Sequence, residues 1–363
     1  MTKYTFYDVV AEQWTTLPPP LKSDLSNKIV LVTGANTGIG FETVKSFANL
    51  RPKRLLLGCR SEAKGKHAVE LIEKATGYRG IELAVFDHGN FNSVRTYVES
   101  FKDEPLDILV ANAGMAIRKY EETEDGWESS LQVNHLSTAL LSILLLPNLV
   151  RTAQQNGTHS RLVIVSSDTH FWTKFDEELL DSPNILRKLN DKEYCVTQGM
   201  AHRYADTKLL NILFTRALSE HLPAIIPVVP TVVNPGYCRS ELRRNISSLS
   251  SIIQYAFMDL LVGRTAEQGA RQLVWAALGP DGKEGKHTNW LRGAYVSTQG
   301  IKEPSDFAIS KEGGESQDRI WASPLTIVVL SCELMSAWIY RKRRCKSCRR
   351  CHPKFAPASM NSL

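Results

Sequence analysis

The chain is predicted to be an α/β protein, a single doubly wound domain on a seven-stranded parallel sheet with helices on both faces. Three observations carry this. Short apolar runs alternate with amphipathic stretches; a glycine-rich turn at 33–40 (TGANTGIG) joins the first run to the first such stretch; and 43% hydrophobic with 23% charged residues in a chain of 363 is enough for one sizeable core.

The strand-like runs lie at 29–32, 55–58, 83–86, 108–111, 162–165, 228–233 and 294–297. Right-handed crossovers between them would place a ligand crevice at the carboxyl ends of the strands. Pro227 and Pro230 remove ladder donors from the sixth run, so its regular part is expected to begin after Pro230.

The first turn points to a nucleotide. Gly34 permits a tight bend, Gly38 lets the backbone approach a diphosphate, and Gly40 lets the next helix pack on the strand; Asn36, Thr37 and Ile39 complete the loop. The first N–H groups of that helix are free for phosphate. A plain connection can look the same. Further along, Tyr204 and Lys208 stand four apart in a helical stretch, on one face. The fifth run ends in Ser166 and Ser167, whose hydroxyls would emerge at the same sheet edge. Serine, tyrosine and lysine together fit proton transfer to a carbonyl, whereas the tyrosine–lysine pair alone could be a surface contact.

In this order the pieces resemble the short-chain dehydrogenase/reductase family. The likeness runs from about Asn27 to about Trp321: the 33–40 turn, Asp87 behind the third run, ANAG at 111–114, VNHL with Asn134, the serine pair, YADTK at 204–208 and NPG at 234–236. LLLGCR at 55–60, VNHL and SDFAIS at 305–310 look most like the branch of retinol dehydrogenases and the WW-domain oxidoreductase. The resemblance implies a Rossmann fold and hydride transfer between a nicotinamide dinucleotide and a carbonyl–alcohol pair.

At the end of the second run, where NAD-preferring folds place an acidic residue, Cys59 is followed by Arg60. An arginine fork suits a 2′-phosphate and offers the free diol no acceptor, so NADP(H) is the expected cofactor; a solvent-facing arginine is the plainer alternative. Asp87 is read as an acceptor for the adenine amino group or as a helix cap. The resemblance assigns Asn112 and Gly114 to the adenine ribose and the sheet edge, although Ala111 stands where the family usually has asparagine. It also assigns backbone groups of Pro235 and Gly236 to the nicotinamide carboxamide, with Ser240 where relatives carry threonine.

For the chemistry, Tyr204 is the expected general acid/base. A free phenol has a pKa of about 10, and the Lys208 ammonium and an oxidised nicotinamide would both favour its phenolate. The resemblance has Lys208 also holding the nicotinamide ribose. Ser167, rather than Ser166, is expected to donate to the developing oxyanion. Asn134 resembles the residue that steadies the lysine through water, with ordinary backbone bonding as the alternative. Cys238 reads as a small apolar filler, and His170 and His202 as structural.

The segment 168–203 is far longer than the family's usual spacing and carries Phe171, Trp172, Phe175, Leu179, Leu180, Ile185 and Leu186. With Leu242, Ile252, Ile253, Tyr255, Phe257, Met258, Leu260 and Leu261 of 239–263 it would form an apolar lid over a lipophilic substrate, or pack a helix pair or subunit interface.

Residues 1–26 form a lead-in without a signal core, 27–322 the catalytic domain, and 323–363 a tail outside it. A cytoplasmic setting is expected, since seven cysteines are an odd count and three cluster at the end. Residues 325–340 form a 16-residue apolar stretch holding Glu333, followed by a basic segment with Cys345, Cys348, Cys351 and His352. A bilayer span needs about 20 apolar residues, so the stretch is marginal, but its basic flank and cysteines leave membrane association open. Ligands so tightly clustered do not make a closed zinc site, and no metal is expected. Eight basic residues at 341–354 turn the chain's +6 into −2 for the rest, which gives no support for nucleic-acid binding. Relatives pair through long helices, so a homodimer is an open expectation.

Two functions follow. The first is an NADP(H)-dependent reductase or dehydrogenase of lipophilic ketones, aldehydes and alcohols; the second is a catalytically silent NADP(H)-binding scaffold or redox sensor of the same fold.

Overall fold

A computed structural model describes residues 5–198, 200, 202–239, 258–259, 261–279 and 288–323. Eight strands form one sheet: β1 (Ile29–Thr33), β2 (Arg54–Cys59), β3 (Ile81–Val85), β4 (Ile108–Ala111), β5 (Ser160–Val165), β6 (Val228–Val233), β7 (Tyr295–Ser297) and β8 (Gly300–Lys302). Their spatial order is β3-β2-β1-β4-β5-β6-β7-β8, with every pair parallel except β7 with β8. The expected seven are present. The eighth returns through Thr298 and Gln299, whose φ values of 51° and 57° make a two-residue hairpin turn without an Asn-Gly signal.

The sixth strand corrects one expectation, because it is regular from Val228 and contains Pro230, paired with Leu162. Residues 229, 231 and 233 direct their backbone groups at β5, and residues 230, 232 and 234 at β7. Before β7 begins, Gly293 N–H donates to the Pro230 carbonyl at 2.7 Å, and the first bond of that ladder leaves Val232 N–H for Ala294 at 3.0 Å. The missing proline N–H thus faces a level where no ladder yet exists.

The helices are α1 (Phe6–Trp14), α2 (Gly38–Asn49), α3 (Glu62–Thr76), α4 (Phe91–Ser100), α5 (Ser129–Leu131), α6 (Ser137–Leu144), α7 (Leu146–Asn156), α8 (Glu177–Asp181), α9 (Ile185–Asn190), α10 (Lys192–Gln198), α11 (Arg203–His221), α12 (Ala266–Leu278), α13 (Asp306–Ile309) and α14 (Lys311–Trp321). Side chains of β1 alternate between two cores. Val30 and Val32 join Val44 and Phe47 of α2 and Leu273 of α12, while Ile29 and Leu31 join Val94 of α4, Leu141 of α6 and Phe214 of α11. Both faces are therefore dry, as a parallel sheet requires.

The long segment before Tyr204 settles into helices rather than a roof. Phe175, Leu179, Ile185, Leu186 and Leu189 are buried against Leu209 and Leu213 of α11 and Ile320 of α14. Of its expected lid residues, Trp172 remains half exposed. Most of α11 is buried within one chain by this cover and the sheet. Most of 239–263, and the apolar and basic tail from 324 onward, lie outside the described residues. Among the described residues no single helix is long and apolar enough to cross a membrane.

The lead-in holds more than expected. Thr5 and Asp8 form a capping box that starts α1, and this helix docks on segments far away in sequence. Trp14 Nε1 donates to the Leu261 carbonyl at 3.1 Å, Arg264 donates to the Glu12 carbonyl, and Ser297 Oγ donates to Glu12 Oε2 at 2.8 Å.

Candidate active site

The glycine turn follows β1 directly. Gly34 and Gly38 adopt φ values of +63° and +58°, a region that side chains disfavour. A β-carbon on Gly40 would lie 2.3 Å from the Gly34 carbonyl oxygen and 2.6 Å from Asn112 Nδ2, so only glycine fits there. Asn36, Thr37, Gly38 and Ile39 are partly exposed along the loop. Thr37 occupies the N-cap of the twelve-residue α2 yet makes no side-chain capping bond. The helix's first N–H groups are thus left for an anion, and the residues present fit a dinucleotide diphosphate.

Asn112 binds this turn to β4. Its Nδ2 donates to the Thr33 and Gly34 carbonyls at 2.9 and 3.2 Å, and its N–H donates to Thr33 Oγ1 at 3.0 Å. Its amide therefore holds the sheet edge. At the β2 end, Arg60 is exposed and pairs loosely with Asp87 Oδ2 at 3.8 Å. Asp87 accepts from Gly89 N–H at 2.8 Å, and the cap of α4 is Asn90, accepting from Ser93 N–H at 2.9 Å, so the capping alternative for Asp87 does not hold.

The polar side chains at the carboxyl end of β5 converge. Ser166 is buried and donates to the Lys208 carbonyl at 2.7 Å, a structural bond that occupies it. Ser167 is partly exposed at the carboxyl end of β5, caps a short 3-10 turn (Asp168–Trp172) by accepting from Thr169 N–H at 3.2 Å, and lies near enough to the Tyr204 phenol to act on its pKa. Tyr204 is half-buried. Lys208 is buried, with Nζ donating to the Val165 carbonyl at 3.0 Å and lying 5.4 Å from the centre of the Tyr204 ring. A β-carbon on Gly114 would sit 3.4 Å from Asn134 Oδ1 and 3.6 Å from Lys208 Nζ, which ties ANAG to the lysine.

Asn134 lies in a π-helical turn (Gln132–Leu136), not in a continuous α-helix. Its amide donates to the Met115 carbonyl at 2.8 Å and Thr207 Oγ1 at 3.0 Å and accepts from Met115 N–H at 2.7 Å. Asn211, missed in the sequence, donates to the Asn134 carbonyl at 3.1 Å and to Val165 at 3.3 Å. It thus shares the acceptor used by Lys208.

Burial pulls the Lys208 ammonium down to about 8. The Tyr204 phenol is pushed above its ordinary value, by burial first and by the Asp168 carboxylate second, with the Ser167 hydroxyl acting against them. Lys208 is expected to favour the phenolate together with an oxidised nicotinamide; at this distance, and paired with a carbonyl, the ammonium does not outweigh desolvation in the chain alone. Pro235 is buried and Gly236 turns with φ +82°, its N–H donating to Asn234 Oδ1 at 3.0 Å. Ser240 lies outside the described residues. Cys238 is buried, with its sulfur 2.6 Å from the position a β-carbon on Gly269 would take, a filler in a tight helix contact.

His170 is fastened at both ring nitrogens, Nδ1 to the Ser167 carbonyl at 2.6 Å and Nε2 accepting from Ser305 N–H at 3.1 Å. Burial lowers its pKa to about 4, so it is neutral and structural. No motif marked Asp168, Glu12 or Arg264. Asp168 is buried behind Ser167, while Glu12 and Arg264 reach the same place from α1 and from the stretch before α12.

The profile of the family described as short chain dehydrogenase matches residues 28–173. A short chain dehydrogenase of Alternaria solani is 37% identical over 294 residues, covering 80% of this chain and 96% of that protein. The chain belongs to the short-chain dehydrogenase/reductase family. A short chain dehydrogenase/reductase of a Cryptosporiopsis species is 34% identical over 316 residues, covering 86% and 93%. Among solved structures, the NADPH-bound carbonyl reductase from chicken fatty liver shares the fold with a TM-score of 0.54 at 20% identity, over 81% of this chain and 98% of that one. An actinorhodin polyketide ketoreductase with NADPH has a TM-score of 0.55 at 16% identity, over 76% and 97%. As a short-chain dehydrogenase/reductase, the protein is an oxidoreductase of the CH–OH class that binds a nicotinamide cofactor and a small-molecule substrate.

Proposed function

We propose that the protein is an NADP(H)-dependent oxidoreductase that interconverts a lipophilic ketone or aldehyde with its alcohol, using Tyr204 as general acid/base. The observation that carries this is the convergence of Ser167, Tyr204 and Lys208 beside Gly114, which is tied through Asn112 to the glycine turn. The cofactor, held by the 34–40 turn, Arg60, Lys208 and the Pro235–Gly236 backbone, supplies or accepts the hydride. In reduction the phenol gives its proton to the carbonyl oxygen while Ser167 donates a hydrogen bond to the same oxygen. Raised above its ordinary value, the phenol stays protonated at neutral pH, which favours the reductive direction. Arg60, exposed and only loosely paired, has donors to spare for a 2′-phosphate. Asp87 keeps its second oxygen near Arg60 for the adenine end. The retinol-dehydrogenase-like segments favour a lipophilic substrate.

The test is oxidation of NADPH against a panel of aliphatic and aromatic ketones and aldehydes. Tyr204→Phe should abolish turnover, by at least about 100-fold for a lost general acid, while NADPH still binds. A silent panel with intact binding would favour the scaffold reading.

A further inference from the structure

Ser167 carries one proton and can donate one hydrogen bond. In the structure its hydroxyl donates to Asp168 Oδ1 at 3.0 Å and accepts from Thr169 N–H at 3.2 Å, and it lies close enough to the Tyr204 phenol to influence its pKa. While the Asp168 carboxylate takes that proton, Ser167 has nothing left to give the Tyr204 oxygen or a substrate oxygen. A protonated Asp168 reverses the bond, because its own O–H donates to Ser167 Oγ and frees the serine proton. We propose that Asp168 is a positioning residue whose protonation state sets the direction of the Ser167 hydrogen bond, and so whether the site can stabilise an oxyanion. This rests on the reading of Ser167 as oxyanion donor.

The surroundings suit such a switch. Asp168 is 7% exposed, and its N–H is fixed by donation to Asn234 Oδ1 at 3.2 Å. The charged and titratable groups facing it are Glu12 from α1, Arg264 from the stretch before α12 and Tyr204 from α11, with neutral His170 on its own turn. Burial, then Glu12, raise its pKa, while the Ser167 hydrogen bond and Arg264 pull it down. The carboxyl pKa is therefore raised from its ordinary value, and the nearby Glu12 charge adds to that rise.

Two measurements test this on the full chain. Carboxyl-carbon NMR of protein labelled at aspartate, with the Asp168 signal assigned by its displacement in Ser167→Ala, should show a midpoint above the ordinary range; a midpoint at or below it overturns the proposal. The pH profile of NADPH-dependent reduction should contain a limb falling about tenfold per pH unit above that midpoint. In Asp168→Asn, whose amide donates permanently to Ser167, that limb should vanish; a retained limb also overturns the proposal. If Ser167→Ala leaves turnover unchanged, the oxyanion reading itself fails, an outcome separate from a reactive Ser167 with an unaltered Asp168→Asn profile. Should Asp168→Asn not fold, the carboxyl titration of the wild type decides alone.

Discussion

Replacing Lys208 with methionine should make the protein more stable and less able to bind cofactor. The ammonium is buried and its pKa is drawn from 10.5 to about 8. At about 1.4 kcal/mol per pKa unit, holding the charge inside costs the folded state about 3 kcal/mol at neutral pH. Methionine keeps the length and volume without the charge, and gives up one hydrogen bond to a charged donor, worth about 1.5 kcal/mol. The Val165 carbonyl is not orphaned, because Asn211 donates to it at 3.3 Å. The net gain is therefore about 2 kcal/mol at pH 7. The sign with pH is fixed by the direction of the shift: the folded chain binds fewer protons than the unfolded one between pH 8 and 10.5, so wild-type stability rises through that window. Urea unfolding at pH 7 and near pH 10.5 measures both. A variant less stable than wild type at pH 7, or a difference that does not change with pH, refutes the account of Lys208 as a strained buried charge.

Other outcomes follow from the same geometry. Arg60→Asp should weaken NADPH roughly 10- to 100-fold relative to NADH, the scale of a charged hydrogen bond, as read by fluorescence titration; equal affinities in the wild type would contradict the cofactor assignment. Gly40→Ala drives a methyl into the Gly34 carbonyl and should cost about 1–3 kcal/mol and remove NADPH binding, seen as a lowered melting temperature that NADPH no longer raises. His170→Ala strands a buried carbonyl and a buried N–H and should lose about 3 kcal/mol at pH 7. That deficit should shrink as pH falls from 6.5 towards 4, because neutral His170 progressively destabilises the wild type over this range.

What could be read in advance was whatever local chemistry demands. The glycine turn, the helical spacing of Tyr204 and Lys208 and the alternation of apolar runs each follow from neighbouring residues, and from them came the doubly wound parallel sheet and the side chains expected at its carboxyl edge. Features set by distant partners were hidden. Pro230 looked disruptive because sequence does not reveal which side of β6 its missing N–H faces. Phe175, Leu179 and Leu186 could equally have roofed a pocket or packed a helix, and only their contact with α11 separates the two. Glu12 and Asp168 belong to no motif. Their meaning arises from a meeting of segments more than 150 residues apart.

The docking of α1 has a consequence for how the chain is made. Its partners Leu261, Arg264 and Ser297 leave the ribosome 247 to 285 residues after the α1 residues they bind. For most of synthesis this helix has nothing to rest on, and nine residues are too few to stay wound unaided. This early segment is thus among the last to take its seat, and the Glu12 charge reaches Asp168 only once the final third of the domain has been made.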